Sequence, residues 1–523
     1  MKTNLYIRVV LTLSPFFLAS NALLLAQTVG PDITVRNASS GAAMEASVAF
    51  ENGATFIAWR DTRTEGTSGG DIYIQKMGAD GQLLWTTNGV PICVAANRQS
   101  LPAITADGAG GAVVTWLDER ATTTAIFAQR INPAGAIQWT ANGVSVGVVY
   151  MQDPYSYIHR SADGGFLVSW WDSSPLSNVD TYPVLAQKLN ANGVPLWDIG
   201  PVTNQDLWGS GIEVLDGITR GRSVPDGSGG LVALGKIRDG GGFRVQRVLA
   251  NGNFAWANAV DFVASLSDFD TTFGFGSDGA GGVVVAYLDQ RDMRAFRVAA
   301  DGTFPWGSNG ITLQQNVVIG QIPFIAPNGS GGAFIAWISG TPRDVLVQQV
   351  AADGSFLWPT PGAPVPDGST FEREPALLPD GAGGVYASFT TATSVRANRL
   401  DSKGAAQWKI SGSNGVGLGS GQLPFIGAGI SGPTVVLTRG AGLIARQIGV
   451  SSVLQLTNIA SVNGQITLKL TGGVTGRSYQ ILRASAVGSH TGQTWSPIGS
   501  VQSGQTFTDR APLPQRAFYS AQE

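Results

Sequence analysis

Aspartate and arginine residues recur at one position of this sequence and could supply acid–base chemistry. Carboxylate groups, often accompanied by arginines, are the groups that hydrolyse glycosidic bonds. Three Asp-x-Arg pairs follow apolar runs: Asp61/Arg63, Asp118/Arg120 and Asp289/Arg291. A catalytic site breaks the symmetry of a repeat, whereas these pairs obey it. We therefore expect structural ion pairs between these residues and the basic neighbours on the next strand, Lys76, Arg130 and Arg297.

Histidine and cysteine, which carry most thiol, zinc and proton-transfer chemistry, are scarce. The chain contains two histidines, His159 and His490, and one cysteine, Cys93. We expect His159 to be packed, because other repeats place apolar residues at its position. Cys93 lies in the apolar run 90–94, which favours a small buried hydrophobic residue over a reactive thiol. We assign no catalytic residue, no metal ligand and no cofactor from the sequence.

Glycine-rich turns mark the repeat. The sequence DGAGG occurs at 107–111, 278–282 and 380–384, with the variants DGSGG from Asp226 and NGSGG from Asn328. A calcium loop needs several oxygen ligands at short spacing, but each of these loops offers one side-chain oxygen group. Asp-Gly and Gly-Gly instead suit tight β-hairpins, because such turns require a positive φ. The loops are therefore predicted to join strands.

Seven tryptophans form the second repeated feature, each preceded by a glycine four residues earlier. They are Trp85, Trp139, Trp197, Trp256, Trp306, Trp358 and Trp408. Their spacing of 50 to 59 residues indicates a repeat architecture. Each buried indole removes about 150–250 Å² from water, so packing between neighbouring repeats is the expected role. A sugar-stacking array is the alternative.

Each repeat contains four short strand patterns, A to D, with the tryptophan placed in strand D. An eighth unit lacks the tryptophan but keeps strands A to C at 423–426, 434–437 and 443–448. Residues 32–450 thus give eight repeats of about 52 residues, a length typical of propeller blades. We predict an all-β fold, an eight-bladed β-propeller, with seven blades as the alternative. The orphan run 32–35 should pair with the last blade and close the ring, which removes exposed sheet edges.

The composition agrees with short strands joined by turns. Glycine accounts for 70 of 523 residues, and only 13% of residues are charged. Exposed helices normally need more charged residues, so we expect almost no helix. A formal net charge of −3 argues against a surface for nucleic acid or anionic membranes.

The N-terminus has the pattern of a secretory signal. Lys2 and Arg8 supply positive charge, the run 9–19 is largely apolar, and Ala22 or Ala26 offers a cleavage site. The apolar run is shorter than the ~20 residues that a membrane span needs. We therefore assign 1–26 as a signal peptide and expect an exported protein. The cell surface, the extracellular space and the periplasm all stay open as destinations.

The order of strand C, glycine and tryptophan resembles the tryptophan-docking repeat of pyrroloquinoline-quinone-like propellers. The resemblance covers about 32–450 and implies eight blades and a packing role for the tryptophans. It implies no single function, because that repeat hosts both dehydrogenases and binding scaffolds. The adjacent cysteine pair common in alcohol-oxidising members cannot exist with one cysteine. A sialidase Asp-box has its glycine three residues before tryptophan, which differs from the four seen here.

The C-terminal segment 451–523 resembles fibronectin-III-like modules of secreted bacterial proteins. The resemblance rests on Tyr479, Trp495, Phe507, Asp509, Phe518 and Tyr519. It implies a small β-sandwich, with strands at 465–470, 478–483, 495–498, 506–508 and 517–520. Ser520 stands where such modules usually have arginine. The module could help to attach or present the propeller.

The start of strand A gives the candidate ligand site, because strand A is innermost in a propeller. Counting seven residues back from each Asp-Gly, or aligning the eighth repeat, gives eight polar residues. They are Glu45, Ser100, Ser156, Thr219, Thr271, Gln321, Arg373 and Gln422. Such residues could simply line a wet channel, or they could form a shallow polar site for a protein or glycan ligand.

The most consistent function is a secreted or cell-surface propeller that binds or scaffolds without catalysis. One alternative is a polysaccharide-active hydrolase or lyase, with carboxylates in the long loops 172–180 or 261–270. The other alternative is a periplasmic scaffold for envelope assembly. We expect a monomer with no membrane span and no nucleic-acid partner.

Overall fold

The computed structural model describes most of the repeat region and parts of the C-terminal segment. The described residues are 27–29, 31–37, 41–149, 155–172, 183–197, 211–238, 241–264, 273–317, 322–340, 343–365, 372–410, 413–428, 433–450, 455–462, 465–471, 478–484, 496–502, 506–509 and 518–522. The predicted signal peptide, 1–26, lies outside these residues. The chain divides into two units, one formed by 31–447 and the other by the two ends of the chain.

The larger unit is an eight-bladed β-propeller, as the repeat predicts. Strands A to D of blade 1 are Ala43–Glu51, Ala54–Asp61, Asp71–Met77 and Val90–Cys93. Those of blade 2 are Gln99–Ala106, Ala112–Asp118, Thr124–Ile131 and Val144–Val149. Those of blade 3 are Ser156–Arg160, Phe166–Trp171, Val184–Leu189 and Ile212–Leu215. Those of blade 4 are Ile218–Pro225, Leu231–Ile237, Gly242–Val248 and Val260–Val263.

The second half of the propeller repeats the same plan. Blade 5 contains Phe273–Ser277, Val283–Asp289, Asp292–Val298 and Ile311–Gln314. Blade 6 contains Phe324–Pro327, Ala333–Ser339, Asp344–Val350 and Ala363–Pro364. Blade 7 contains Glu372–Pro379, Val385–Thr391, Val395–Leu400 and Val416–Gly417, with a side hairpin of Lys409–Ile410 and Ser413–Asn414. Strands A to C of blade 8 are Gln422–Ala428, Pro433–Arg439 and Gly442–Val450.

The ring closes through the N-terminal strand Ile33–Arg36. This strand pairs antiparallel with strand C of blade 8, with Ile33 opposite Ala445. Strand A of each blade also contacts strand A of the next, and strand A of blade 8 contacts strand A of blade 1. The A strands therefore form the inner ring, and the predicted pairing of 32–35 with the last blade is confirmed.

The placement of the repeated tryptophans in strand D is wrong. Strand D begins at Val90 in blade 1 and at Val144 in blade 2, five residues after Trp85 and Trp139. Before six of the seven tryptophans the chain makes only an isolated bridge, such as Met77 with Leu83. The tryptophan backbone N–H instead donates to an amide side chain of strand C, which takes the place of a strand partner.

Strand B forms the core of each blade, with a buried tryptophan in four of them. Trp59, Trp116, Trp170 and Trp337 are fully buried. In blades 1 and 2 the glycine of the Asn-Gly pair lies against this ring. A Cβ on Gly89 would come within 2.4 Å of Trp59, and one on Gly143 within 2.5 Å of Trp116. Close packing on these rings therefore requires glycine after the docking tryptophan.

Helix is almost absent, as the composition predicts. The helix of the described residues is the four-residue Glu65–Ser68 in blade 1. No helix in the described part of the chain is long and apolar enough to cross a bilayer.

The smaller unit contains two three-stranded antiparallel sheets. One sheet has the order Gln455–Val462, Gln465–Thr471 and Thr506–Asp509, and the other has the order Ser496–Gln502, Ser478–Ala484 and Phe518–Gln522. Gln27–Val29 pairs with the last residues of Gly442–Val450. The sequence predicts all these strands except Gln27–Val29 and Gln455–Val462. A fibronectin-III-like sandwich stays a prediction, and Trp495 lies outside the described residues.

Candidate functional site

Six of the seven repeated tryptophans bind the next blade through their indole N–H groups. The indole N–H of Trp85 donates to the Pro133 carbonyl of blade 2 at 3.1 Å. Trp139, Trp197, Trp256, Trp306 and Trp358 donate in the same way, to the carbonyls of Ala191, Ala250, Ala300, Ala352 and Ser402. The glycine that precedes the next tryptophan lies against the same ring, since a Cβ on Gly135 would be 2.9 Å from Trp85. The Gly-x-x-x-Trp spacing is therefore the mark of an interface between blades.

Most of these indoles face protein rather than solvent. Trp85, Trp197, Trp306, Trp358 and Trp408 are buried. Trp139 and Trp256 are half-buried. Rings in such positions offer little surface for stacking on a sugar.

The Asp-Gly hairpins form a second contact between blades. Asp107 Oδ1 accepts hydrogen bonds from the backbone N–H groups of Ala109 and Gly111, at 2.8 and 2.7 Å. Its Oδ2 is 2.9 Å from the Arg130 guanidinium, which also donates to the Ala191 carbonyl of blade 3. The pairs Asp226/Arg247, Asp278/Arg297 and Asp380/Arg399 repeat this ion pair. The hairpin carboxylates are thus saturated by donors from the protein.

The predicted ladder between the Asp-x-Arg pairs and strand C is wrong. Arg130 lies opposite Val113 at the start of strand B, whereas Asp118 ends that strand. Arg130 and Arg297 therefore meet hairpin aspartates instead, and Lys76 donates to the Gly110 carbonyl of blade 2. Asp118 pairs with Arg120 at 2.5 Å and accepts from the Trp116 indole at 2.7 Å.

The other two Asp-x-Arg pairs differ from each other. Asp61 is fully buried and accepts hydrogen bonds from Arg36, Arg63 and the Trp59 indole. Burial alone would raise the pKa of Asp61, but these donors hold it far below the usual range. Such a carboxylate cannot act as a general acid near neutral pH. In the third pair, Asp289 lies 3.8 Å from Arg294.

His159 and Cys93 lie in packed surroundings. The His159 ring Nε2 is 3.1 Å from both the carbonyl and the hydroxyl of Ser223 in blade 4. Burial lowers the pKa of His159 to about 4, so the ring is neutral at pH 7. Burial raises the pKa of Cys93 to about 12, which keeps the thiol protonated. His490 lies outside the described residues.

The eight residues predicted at the channel mouth do not form one equivalent ring. Thr219, Arg373 and Gln422 pair with strand B at the same position as Ser100. In blade 1 that position belongs to Met44, and in blade 3 Ser156 lies two positions further along the strand. The hairpins of blades 1 and 3 differ in length, so counting back from Asp-Gly shifts the register. Thr271 and Gln321 lie outside the described residues.

Several of the eight side chains are occupied by contacts within the protein. Ser100 is fully buried, so it presents no surface to a ligand. The Ser156 hydroxyl is 3.2 Å from that of Thr115, and the Thr219 hydroxyl donates weakly to the Lys236 carbonyl. Glu45 accepts a hydrogen bond from the Leu101 N–H at 2.7 Å. Arg373 is half-buried. Gln422 begins strand A of blade 8, opposite Thr438.

Glu45 belongs to a charged cluster between blades 1 and 2. Its carboxylate lies 3.6 Å from Arg60 and 3.9 Å from Arg98. Arg60 also pairs with Glu65 at 2.6 Å, and Arg98 lies 3.7 Å from Glu119. The cluster thus contains three carboxylates and two guanidinium groups, which bind one another.

Strands A of blades 3 and 4 present a different surface, here called the inner wall and defined as 155–160 with 219–223. Tyr155 has 60% of its surface exposed, and Tyr157 and His159 are partly exposed. Arg220 is exposed, and Arg222 lies 5.3 Å above the ring of Phe273 in blade 5. The inner wall therefore combines one exposed aromatic ring, that of Tyr155, with guanidinium groups, a combination that position counting missed. The tyrosines, histidine and arginine at 155–160 are the sequence feature that could have identified this surface.

Two grooves lie where strand D of one blade meets the C–D turn of the next. The groove between blades 3 and 4 has a volume of about 430 Å³ and is lined by Glu213, Asp216, Arg244 and Phe254, among others. Burial and the nearby Asp216 carboxylate raise the pKa of Glu213. The groove between blades 5 and 6, of about 560 Å³, is lined by uncharged residues such as Gln315 and Phe356.

Comparisons with known proteins assign no family to the chain. No family model matches the chain, and no curated protein matches it. The chain is similar to the solved structure of puromycin hydrolase, at 13% identity and a TM-score of 0.42, over 87% of this chain and 62% of that one. It is similar to the Hadza microbial sialidase Hz136, at 13% identity and a TM-score of 0.31, over 59% and 66% of the two chains.

A third similar structure is Zg3597, a family 117 glycoside hydrolase produced by the marine bacterium Zobellia galactanivorans. The identity is 10% and the TM-score 0.25, over 51% of this chain and 86% of that one. The chain spans less than two thirds of the length of the first two proteins. At these identities the similarity concerns the fold alone.

Proposed function

We propose that this protein is an exported, non-catalytic propeller that binds a glycan on the inner wall of blades 3 and 4. The observation that carries the proposal is the exposure of Tyr155 beside the partly exposed Tyr157 on an innermost strand. Aromatic rings with a polar tip suit sugars, which present both apolar faces and hydroxyl groups. A concave wall with a few polar groups is the usual form of a ligand site.

The engagement of the repeated carboxylates supports binding over catalysis. Asp61, Asp107 and Asp118 each accept several hydrogen bonds from neighbouring residues. In the long loops suggested for catalysis, Asp172 is buried, and Asp261 receives two hydrogen bonds of 2.8 Å from Arg244. The remainder of both loops, 173–180 and 265–270, lies outside the described residues.

A glycan-active enzyme is the second candidate, and one observation favours it. Glu213 and Asp216 line the same groove, and the raised pKa of Glu213 is the property of a general acid. Two carboxyl groups on one groove are the pair that glycoside hydrolysis uses.

The proposal also includes two structural assignments, the type of the propeller repeat and the type of the C-terminal module. The indole hydrogen bonds to the next blade support a tryptophan-docking repeat. The two C-terminal sheets support a fibronectin-III-like module at 451–523 that presents the propeller. Loss of normal surface localisation after deletion of 451–523 is the expected result, and unchanged localisation would refute the presenting role.

A glycan array combined with a hydrolysis assay on the same ligands tests the function. We expect binding without release of reducing ends, and loss of binding in Tyr155→Ala with an unchanged unfolding midpoint. Gln315→Ala, in the uncharged groove, is the matched control and should bind normally. Polymer turnover that disappears in Glu213→Gln would refute the binding proposal and establish the enzyme.

A further inference from the structure

We propose that the ligand of the inner wall is an anionic glycan that carries carboxylate groups, as a uronic-acid polymer does. The inference rests on the proposed function, since it names the chemical class of ligand for the same surface. The evidence for an anionic ligand is the charge of the inner strands, because aromatic rings alone do not distinguish a charged sugar from a neutral one.

Charge is distributed unevenly over the described A strands. Strands A of blades 3 and 4 carry three arginines, Arg160, Arg220 and Arg222, and no carboxylate. Strand A of blade 1 carries Glu45 and Glu51, and that of blade 7 carries two glutamates beside one arginine. Strands A of blades 2, 5, 6 and 8 carry no charged residue. The inner wall is therefore a local positive surface in a chain of net charge −3.

Within the described residues, one ion pair reaches the guanidinium groups of the inner wall, that of Arg160 with Glu51. Arg160 lies 3.5 Å from Glu51 and packs over Gly108 of the blade 2 hairpin, and its side chain is about half exposed. Within the described residues Arg220 and Arg222 form no ion pair, and the Arg222 guanidinium lies over the Phe273 ring. The inner-wall arginines Arg220 and Arg222 thus differ from four arginines of strand C. Each of the four forms an ion pair with a hairpin aspartate; they are Arg130, Arg247, Arg297 and Arg399.

The backbone supports outward presentation of Arg220. Strand A of blade 4 has a bulge between Thr219 and Arg222, and Arg220 adopts a φ of +56°. A bulge re-aims a side chain away from the alternation of the strand. Arg220 is exposed as a result, beside the partly exposed Thr219 and Arg222.

Tyrosine and arginine together select a charged sugar. Guanidinium groups bind carboxylates through two parallel hydrogen bonds, which a neutral sugar cannot accept with equal strength. Arg222 lies near Tyr157, whose pKa is raised by burial and lowered in part by this arginine. A sugar ring stacked on an exposed tyrosine would thus place a carboxylate within reach of a neighbouring cation.

Isothermal titration of the full chain with polygalacturonate, dextran and dextran sulfate tests the inference. We expect binding of polygalacturonate that weakens as NaCl rises from about 50 to about 500 mM, because salt screens exposed charges. Arg222→Gln and Arg220→Gln should each lower the affinity about tenfold, the effect of one lost charge-assisted hydrogen bond. Arg291→Gln, an exposed arginine of blade 5, is the matched control and should bind normally.

The possible outcomes separate the inference from the proposed function. Equal binding of dextran and polygalacturonate would overturn the anionic class and leave glycan binding intact. Preference for dextran sulfate over polygalacturonate would overturn the carboxylate assignment. If none of the three polymers binds, the inference for this surface is wrong. It is also wrong if the arginine variants bind a polymer with the same affinity as the original protein. Equal unfolding midpoints of the variants would show that they fold, and Arg222→Lys should retain part of the affinity.

Discussion

The interface between blades 8 and 1 differs from the interface between blades 1 and 2 at one equivalent position. At the end of strand D, blade 8 has Arg36, which lies 3.1 Å from Asp61 of blade 1. The same place in blade 1 holds Cys93, whose sulfur lies 3.8 Å from Asp118 of blade 2. Both aspartates bind the tryptophan and the arginine of their own strand end in the same way. A buried ion pair therefore distinguishes the closing interface.

Chain connectivity explains why the closing interface needs this reinforcement. Blades 1 and 2 are joined by a short loop, whereas strand D of blade 8 comes from the other end of the sequence. Holding two distant parts of a chain together costs conformational entropy that a short connection does not. The closing strand has further ion pairs, since Asp32 lies 2.6 Å from Arg439 and 2.5 Å from Arg446.

The largest effect is expected from Val35→Asp, which would break the closing interface. Val35 is buried in the core shared by blades 8 and 1, so a carboxylate there has no partner. The free energy of unfolding should fall by about 3–5 kcal/mol. Thr34→Asp, at an exposed position of the same strand, should change it by less than about 0.5 kcal/mol. Denaturant unfolding measures both, and similar small losses would contradict closure by this strand.

A smaller effect sharpens the comparison at the equivalent position. Arg36→Met should lower the free energy of unfolding by about 1.5–3 kcal/mol, because Asp61 loses one charged partner and keeps Arg63. Cys93→Ala should cost less than about 1 kcal/mol, since it removes one small apolar group. The same unfolding assay measures both variants. An equal cost at the two interfaces would show that the ion pair has no special role.

How far the sequence predicts this molecule depends on the kind of contact. The Gly-x-x-x-Trp and Asp-Gly spacings predict eight blades, and the orphan run 32–35 predicts closure, because turns and packing repeat with the chain. The place of the tryptophans relative to strand D was not predictable from alternation. A strand C amide such as Gln129 replaces the strand partner there, by binding the Trp139 backbone.

The candidate site was harder to predict from the sequence than the fold was. Glu45 and Ser156 were assigned by counting, but hairpins of unequal length and a strand A bulge shift the register. The exposure of Tyr155 depends on which blades surround it, and no local pattern encodes that. The pairing of Arg130 with Asp107 rather than Asp118 follows from antiparallel register, which the sequence does not state directly.

The smallest expected effect is on the pH dependence of stability. It compares an ion-paired contact between blades 3 and 4 with an uncharged contact between blades 8 and 1. Lys188 of blade 3 pairs with Asp163 at 2.6 Å and donates to the Ala250 carbonyl of blade 4. At the closing interface the corresponding donor is the Gln447 amide, 2.7 Å from the Ala79 carbonyl. Burial raises the pKa of Asp163, but the hydrogen bonds from Lys188, Ser161 and the Gly165 N–H, with the Lys188 charge, together outweigh it and lower the value from 3.8 to about 2.

The sign of the pH effect follows from that lowered value. Ionised Asp163 stabilises the fold above about pH 4, and this contribution is lost as the pH falls through about 2. Asp163→Asn should therefore flatten the decline of the unfolding midpoint between those pH values. Gln447→Ala, which removes a group that does not titrate, should lower the midpoint slightly and leave its pH dependence unchanged. A steeper decline in Asp163→Asn would contradict the assignment.

An engineered disulfide across the closing interface tests ring closure most directly. Ile33 lies opposite Ala445 in the antiparallel pair, and directly opposed residues have the spacing that a disulfide requires. Ile33→Cys with Ala445→Cys, in a Cys93→Ala background, should oxidise in air and leave no thiol that reacts after denaturation. The unfolding midpoint should also rise and return on reduction. Two thiols that stay reactive in the oxidised, folded protein would contradict a propeller closed by its N-terminal strand.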